Sequence, residues 1–336
     1  MTDQGFGPPG WQPLGYESPG TDLPFKKWRT GSTVFGTIAI VIGASSGCLG
    51  LFIPLAMLAP QPRGQNPGTM VSGTLLYLVV AGSLIWLGIG AIQMRRWVRP
   101  LVLTLGTVIL IIGAFSVVWM IFFLPVMTKI TSGIGARGGP PAGMVMFFTT
   151  MTMLIMGILF FIVPGAFVWF YKKQEVKAAL EHFDPLPRWT DRCPIPVLGI
   201  VVTLLLYAST MLAAMPQAIM PVFGTVIHGP PAMALQTVIA AAALVLAWLS
   251  FHCRPAGWWG TTAFVIVLMF AYLMTGIRSD QLDLYGSAGF TANQLDAIAK
   301  LQMSPAARLV LQLPIPLLTI GYLVYVRRYF NAHGRT

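Results

Sequence analysis

Residues 70–94 read MVSGTLLYLVVAGSLIWLGIGAIQM, without one Asp, Glu, Lys, Arg or His. The run is apolar all round, so it lacks the polar face of a helix on a soluble core. About 20 such residues cross a hydrocarbon layer of about 30 Å, and a charge at mid-bilayer costs about 2.5–3.5 kcal/mol. The stretch is therefore expected to be a transmembrane helix.

Seven further runs of this kind follow the same rule. The expected helices cover about 33–59, 70–94, 100–127, 144–171, 195–215, 233–251, 257–275 and 306–326. Helices are expected over strands because lipid cannot satisfy free backbone groups. The first run is too long, and its leader too polar, for a cleaved signal peptide. Composition agrees: the chain is 56% hydrophobic and 9% charged, where soluble proteins average about 25% charged. Mean hydropathy is +0.74.

The basic residues orient the bundle. Lys26, Lys27, Arg29, Arg95, Arg96, Arg99, Lys172, Lys173, Lys177, Arg188, Arg192, Arg254, Arg327, Arg328 and Arg335 fall on one side. Arg63, Lys129, Arg137, Arg278, Lys300 and Arg308 fall on the other. Fifteen against six places both termini in the cytoplasm of a bacterial cell by the positive-inside rule. The net charge of +11 sits at the ends of apolar runs. It is thus a topology signal, and no nucleic-acid partner is expected. Cys48 lies inside the first run, while Cys193 and Cys253 fall on the cytoplasmic side, so no structural disulfide is expected.

The chain also carries signs of duplication. Arg99-Pro100 opens the third run and Arg254-Pro255 the seventh, 155 residues later. The fourth run ends in FVWFYKK at 167–173 and the eighth in YLVYVRR at 322–328, again 155 residues apart. Leu-Ala-Met-Leu at 55–58 is echoed by Leu-Ala-Ala-Met at 212–215, each followed by proline. Landmarks kept at one offset point to a repeat. The fold class is therefore an all-α membrane protein of eight transmembrane helices, arranged as two parallel tandem four-helix repeats. The expected division is a disordered tail over 1–32, repeat 1 over 33–171, a connector over 172–193, repeat 2 over 194–328 and a tail over 329–336. In the connector, Val176, Leu180 and Phe183 share a helical face, expected to lie along the membrane surface. Pro185, Pro187 and Pro194 should keep the rest extended. Pro164, Pro314 and Pro316 should bend the fourth helix of each half.

Chemistry-bearing motifs are scarce. No P-loop, GxGxxG, HExxH or GxSxG context occurs. The runs hold no buried carboxylate or histidine of the kind that ion-coupled transport uses. Gly43, Gly47 and Gly50, with Gly82, Gly88 and Gly90, read as helix-packing positions. Met144, Met146, Met151, Met153 and Met156 crowd the outer half of the fourth run, but no Cys or His accompanies them as copper ligands would require. His182, Cys193, His252 and Cys253 share the cytoplasmic side without zinc-site spacing. No catalytic, cofactor or metal residue is assigned.

One polar cluster stands out. Arg308 and Gln312 are one turn apart on the eighth helix, and Gln236 is at similar depth on the sixth. The first half has Met153, Gly157 and Ala81 at the same offset. A site, if there is one, is expected at this external end of the second half. The structural reading is that Arg308 snorkels and the glutamines cross-link helices. Segment 216–232 is expected to fold into the bundle mouth or the interface. Thr291-Ala-Asn-Gln294 resembles a capping box ahead of a short amphipathic helix with Leu295, Ile298 and Leu301. The expected role is a non-enzymatic structural or partner-binding subunit, in contact with lipids and with other membrane proteins or copies of itself. The alternative is a channel or facilitator for an uncharged or lipid-like substrate.

Overall fold

The computed structural model describes residues 23–56, 67–135, 142–278, 312–333 and four isolated positions between the last two segments. The helices are α1 (Leu23–Ala56), α2 (Pro67–Ile92), α3 (Val98–Gly135), α4 (Ala142–Gly157), α5 (Val163–Lys172) and α6 (Gln174–Phe183). They continue with α7 (Ile195–Ala214), α8 (Pro230–Phe251), α9 (Pro255–Arg278) and α10 (Pro314–His333). Among the described residues, seven spans are long and apolar enough to cross a membrane: α1, α2, α3, α4 with α5, α7, α8 and α9. The chain is a polytopic membrane protein.

Several boundaries move. Helix α1 starts at Leu23, ten residues before the expected 33, so the end of the expected tail is helical. Nothing in Lys26–Thr30 breaks a helix, and Thr30 and Thr33 return their hydroxyls to Lys26 and Arg29 carbonyls. Helix α10 runs to His333, beyond the expected end at 326. The helix expected over 291–301 lies almost wholly outside the described residues.

Helices α1 and α2 pack antiparallel through glycine. A methyl carbon on Gly36 would stand 2.7 Å from the Gly88 carbonyl oxygen, and one on Gly88 would stand 2.6 Å from that of Gly36. Gly43 faces Ala81 and Gly50 faces Tyr77 along the same seam. Without side chains between them the backbones approach closely, as membrane helices need when no hydrophobic effect drives them together. Helices α7 and α8 bury alanines instead: Ala208, Ala240, Ala243 and Ala247.

Pro164 acts where the sequence places a bend. It has no N–H for the Phe160 carbonyl, and the chain before it widens into a π turn over Ile158–Ile162. Val163 N–H donates to Ile158 O, and the Phe160 carbonyl lies against Gly113 of α3.

One feature departs from an all-α class. Segment 216–232 forms an antiparallel hairpin, β1 (Ile219–Val222) with β2 (Thr225–His228), in the register Ile219 to His228 and Val222 to Thr225. Phe223 and Gly224 join the strands with φ of 51° and 93°. Two positive φ values make the primed two-residue turn that suits strand twist. Gly224 is required twice over, since a side chain there would also strike Arg278. Its N–H donates to the Thr275 hydroxyl at 3.3 Å.

The buried apolar residues gather at the opposite, basic end: Met94, Val98, Tyr171, Val176, Leu180, Val197, Val326 and Phe330. Helix α6 belongs to this core. Val176 and Leu180 are closed off completely, so the connector's apolar face packs onto the bundle instead of the membrane surface.

The turns joining α2 to α3 and α8 to α9 have the same hydrogen-bond pattern. Met94 N–H donates to Ala91 O and Arg95 N–H to Gly90 O, while Cys253 N–H donates to Ser250 O and Arg254 N–H to Leu249 O. Met94 and Cys253 are both left-handed, with φ of 54° and 51°. Each is the residue that ends a helix in a Schellman cap. Arg95, four residues before Arg99, closes the first turn as Arg254 closes the second.

Candidate functional site

The hairpin end contains the polar residues singled out in the sequence. Gln236 is 3% exposed on α8. Its amide donates to the Ile219 carbonyl of β1 at 3.1 Å, tying the hairpin to the helix. Its Oε1 is buried and has no partner. Gln312 presses its amide against Gly276 of α9, and its Oε1 is likewise buried without a partner. No hydrogen bond joins the two glutamines. Arg308 lies outside the described residues.

Other residues weighed in the sequence disperse. His182 stacks on Phe25 at 4.8 Å, and His252 turns Nδ1 to its own helix at Trp248 O, 2.8 Å away. Cys193 and Cys253 are buried beside one another. Burial, and then the neighbouring Cys253 thiol, push the Cys193 thiol up to about 12. Such a thiol is protonated and inert. Among the described residues no three His, Cys, Asp or Glu side chains converge as metal ligands. Met144, Met151 and Met156 are exposed on the bundle's outer surface.

The basic end holds a network that charge counting alone does not reveal. Asp184 accepts the Arg96 main-chain N–H at 3.2 Å and the Arg188 guanidinium at 2.7 and 2.9 Å. The Arg188 guanidinium holds the Asp184 carboxyl below its ordinary range, assisted by the Arg96 N–H and opposed by burial. The Arg96 side chain bridges Glu181 at 3.4 Å and Asp191 at 3.2 Å. These bonds pin the connector to the α2–α3 turn.

Deeper in, polar groups tie helices together. Ser32 of α1 donates to Ala91 O of α2 at 2.8 Å. With that proton spent, the Tyr171 hydroxyl of α5 donates to Ser32 Oγ at 3.1 Å. Arg99 Nε of α3 donates to Tyr171 O at 3.0 Å, and Trp258 Nε1 of α9 donates to Leu323 O of α10 at 2.9 Å. Arg99 and Trp258 each follow by four residues the arginine that closes their turn. After both turns a side-chain N–H therefore reaches a main-chain carbonyl of another helix.

Aromatic rings flank this end. Lys173 lies 3.7 Å from the Trp169 ring centre, Arg254 5.1 Å from Trp248, Arg327 5.1 Å from Trp258 and Arg328 4.2 Å from Tyr325. Trp169, Trp248 and Tyr325 are well exposed. Aromatic rings with snorkelling cations mark a membrane–water boundary.

A cavity of about 280 Å³ opens among α3, α6 and the start of α7. Arg96, Arg99, Lys177, Glu181, Thr190 and Asp191 supply its polar lining. Sequence reasoning missed it, because its walls come from segments nearly a hundred residues apart.

No protein-family model matches the chain, and no curated protein or solved structure resembles it significantly.

Proposed function

We propose that the chain is a non-enzymatic structural or partner-binding subunit of a bacterial cytoplasmic membrane. In this reading it has eight spans, built as two parallel four-helix repeats with both termini in the cytoplasm. Its partners are lipids and other membrane proteins or further copies of itself. The two copies of the Schellman turn, and the matching ties from Arg99 and Trp258, support the repeat. The aromatic and cationic belt at the basic end supports the orientation.

One observation carries the structural role. Inside the basic end, Ser32, Tyr171, Arg99 through its Nε, and Trp258 hold helices to one another. A permeation path needs such groups facing a hydrated channel.

A facilitator for an uncharged or lipid-like substrate is the second reading. The unpartnered Oε1 atoms of Gln236 and Gln312 favour it, since buried acceptors without donors call for an explanation. Flux of glycerol, urea and a fluorescent lipid into proteoliposomes separates the two. The structural reading expects rates equal to empty vesicles. A rate above that background, lost in Gln236→Leu, replaces it with the second.

A further inference from the structure

We propose that the cavity at the basic end binds a phosphate group. Its polar lining has three cations and two carboxylates, a net charge of +1. The carboxylates are largely committed: Arg96 bridges both, and Lys177 Nζ lies 3.9 Å from Glu181. Arg99 is the surplus cation. Its Nε is used on Tyr171 O, and its two Nη groups have no hydrogen-bond partner among the described residues. They form a planar pair of donors of the kind that grips phosphate oxygens.

A second observation points to a ligand. Thr190 lines the same cavity, is 1% exposed, and its hydroxyl has no hydrogen-bond partner. A buried hydroxyl left unsatisfied is costly, and an unfilled ligand position is one explanation. The backbone adds to the field. Helices α3 and α7 both begin at the cavity, at Val98 and Ile195, and each N-terminus carries about half a positive charge.

The depth of the cavity suggests where the phosphate comes from. Arg99 and Ile195 open two of the spans, which sets the cavity at the level of lipid headgroups. Ile195, exposed on the rim, gives the opening an apolar lip. A lipid phosphodiester can enter there while its chains stay in the bilayer. Inorganic phosphate could enter from the aqueous side and make the same polar contacts.

Binding to the full-length protein in neutral detergent tests this, with two probes followed by thermal shift and calorimetry. One is short-chain phosphatidylglycerol below its micelle threshold; the other is inorganic phosphate against chloride at matched ionic strength. Saturable binding of the lipid alone marks a headgroup site, and binding of both marks a general phosphate site. Arg99→Gln should weaken binding about tenfold or more, and Thr190→Val and Lys177→Gln a few-fold each. Arg254→Gln, at the same end but outside the cavity, should leave it unchanged. Should Arg99→Gln fail to fold, Thr190→Val and Lys177→Gln decide. The proposal is overturned if neither probe binds the wild type, if Arg99→Gln binds normally, or if both other cavity variants do.

Discussion

Met94 and Cys253 hold the same position in turns of one kind: both left-handed, both buried, and both followed by an arginine whose N–H caps the preceding helix. A left-handed non-glycine residue costs about 1–2 kcal/mol, so its occurrence in two turns of one kind is in keeping with the proposed repeat. The pairing lies 159 residues apart, while the sequence landmarks keep 155. Hydrogen bonds in the turn are satisfied only in one register, whereas Arg-Pro pairs can shift along a helix start without cost.

Topology is the first expectation. Arg95→Cys and Arg254→Cys should react with an impermeant maleimide only after the membrane is permeabilised, and Thr225→Cys in intact cells. Labelling of Arg95→Cys and Arg254→Cys from opposite sides would rule out parallel repeats.

The glycine seam gives a contrast in sign. Gly36→Ala and Gly88→Ala each force a methyl carbon against a main-chain oxygen and should destabilise by about 1–3 kcal/mol. Gly82→Ala meets nothing within 4 Å and should be neutral, or more stable by up to about 1 kcal/mol from helix propensity. Unfolding in mixed micelles reads both; equal effects at all three sites would show that the seam is not tight.

Asp184 makes stability depend on acid. Its folded-state pKa lies below the ordinary aspartate value, chiefly because of Arg188, so the unfolded chain binds the proton more readily. Its contribution is therefore full above about pH 4 and lost as pH falls through the folded value. Asp184→Asn should cost about 1.5–3 kcal/mol near neutral pH. It should also flatten the fall in melting temperature on acidification; an unchanged acid limb would dismiss the role.

The thiols test burial. With the Cys193 thiol at about 12, about one molecule in ten thousand carries a thiolate near pH 8. Iodoacetamide should leave Cys193 and Cys253 unmodified in the folded protein and alkylate both after denaturation, as read by mass spectrometry. Rapid labelling of the folded protein would contradict the packing of the connector.

At the hairpin end, Gln236→Leu removes the bond to Ile219 O and should cost about 1 kcal/mol. Hydrogen exchange in 219–228 should rise while that in α7 and α8 stays constant. Unaltered exchange would mean that the hairpin is held by other contacts, such as Gly224 to Thr275.

The spans were legible because a long apolar run has one satisfied state in lipid, and residues 70–94 or 195–215 admit no other. Of the glycines read as packing positions, Gly43, Gly50 and Gly88 lie in the seam, while Gly82 meets nothing and Gly36, which faces Gly88, went unread. The hairpin had a readable signal, Phe223-Gly224 between β-branched residues, which Pro221 and the apolar composition obscured. The apolar face of α6 was visible in Val176 and Leu180, but its partner was not: periodicity says that a face is buried, never against what. The Arg96–Asp184 bond, the Cys193–Cys253 pair and the cavity beneath Arg99 join positions tens of residues apart. Composition ruled membrane crossing because hydrocarbon acts on each residue separately. Only tertiary structure could decide which charges meet and which are left with donors to spare, because that depends on distances between elements that the sequence does not contain.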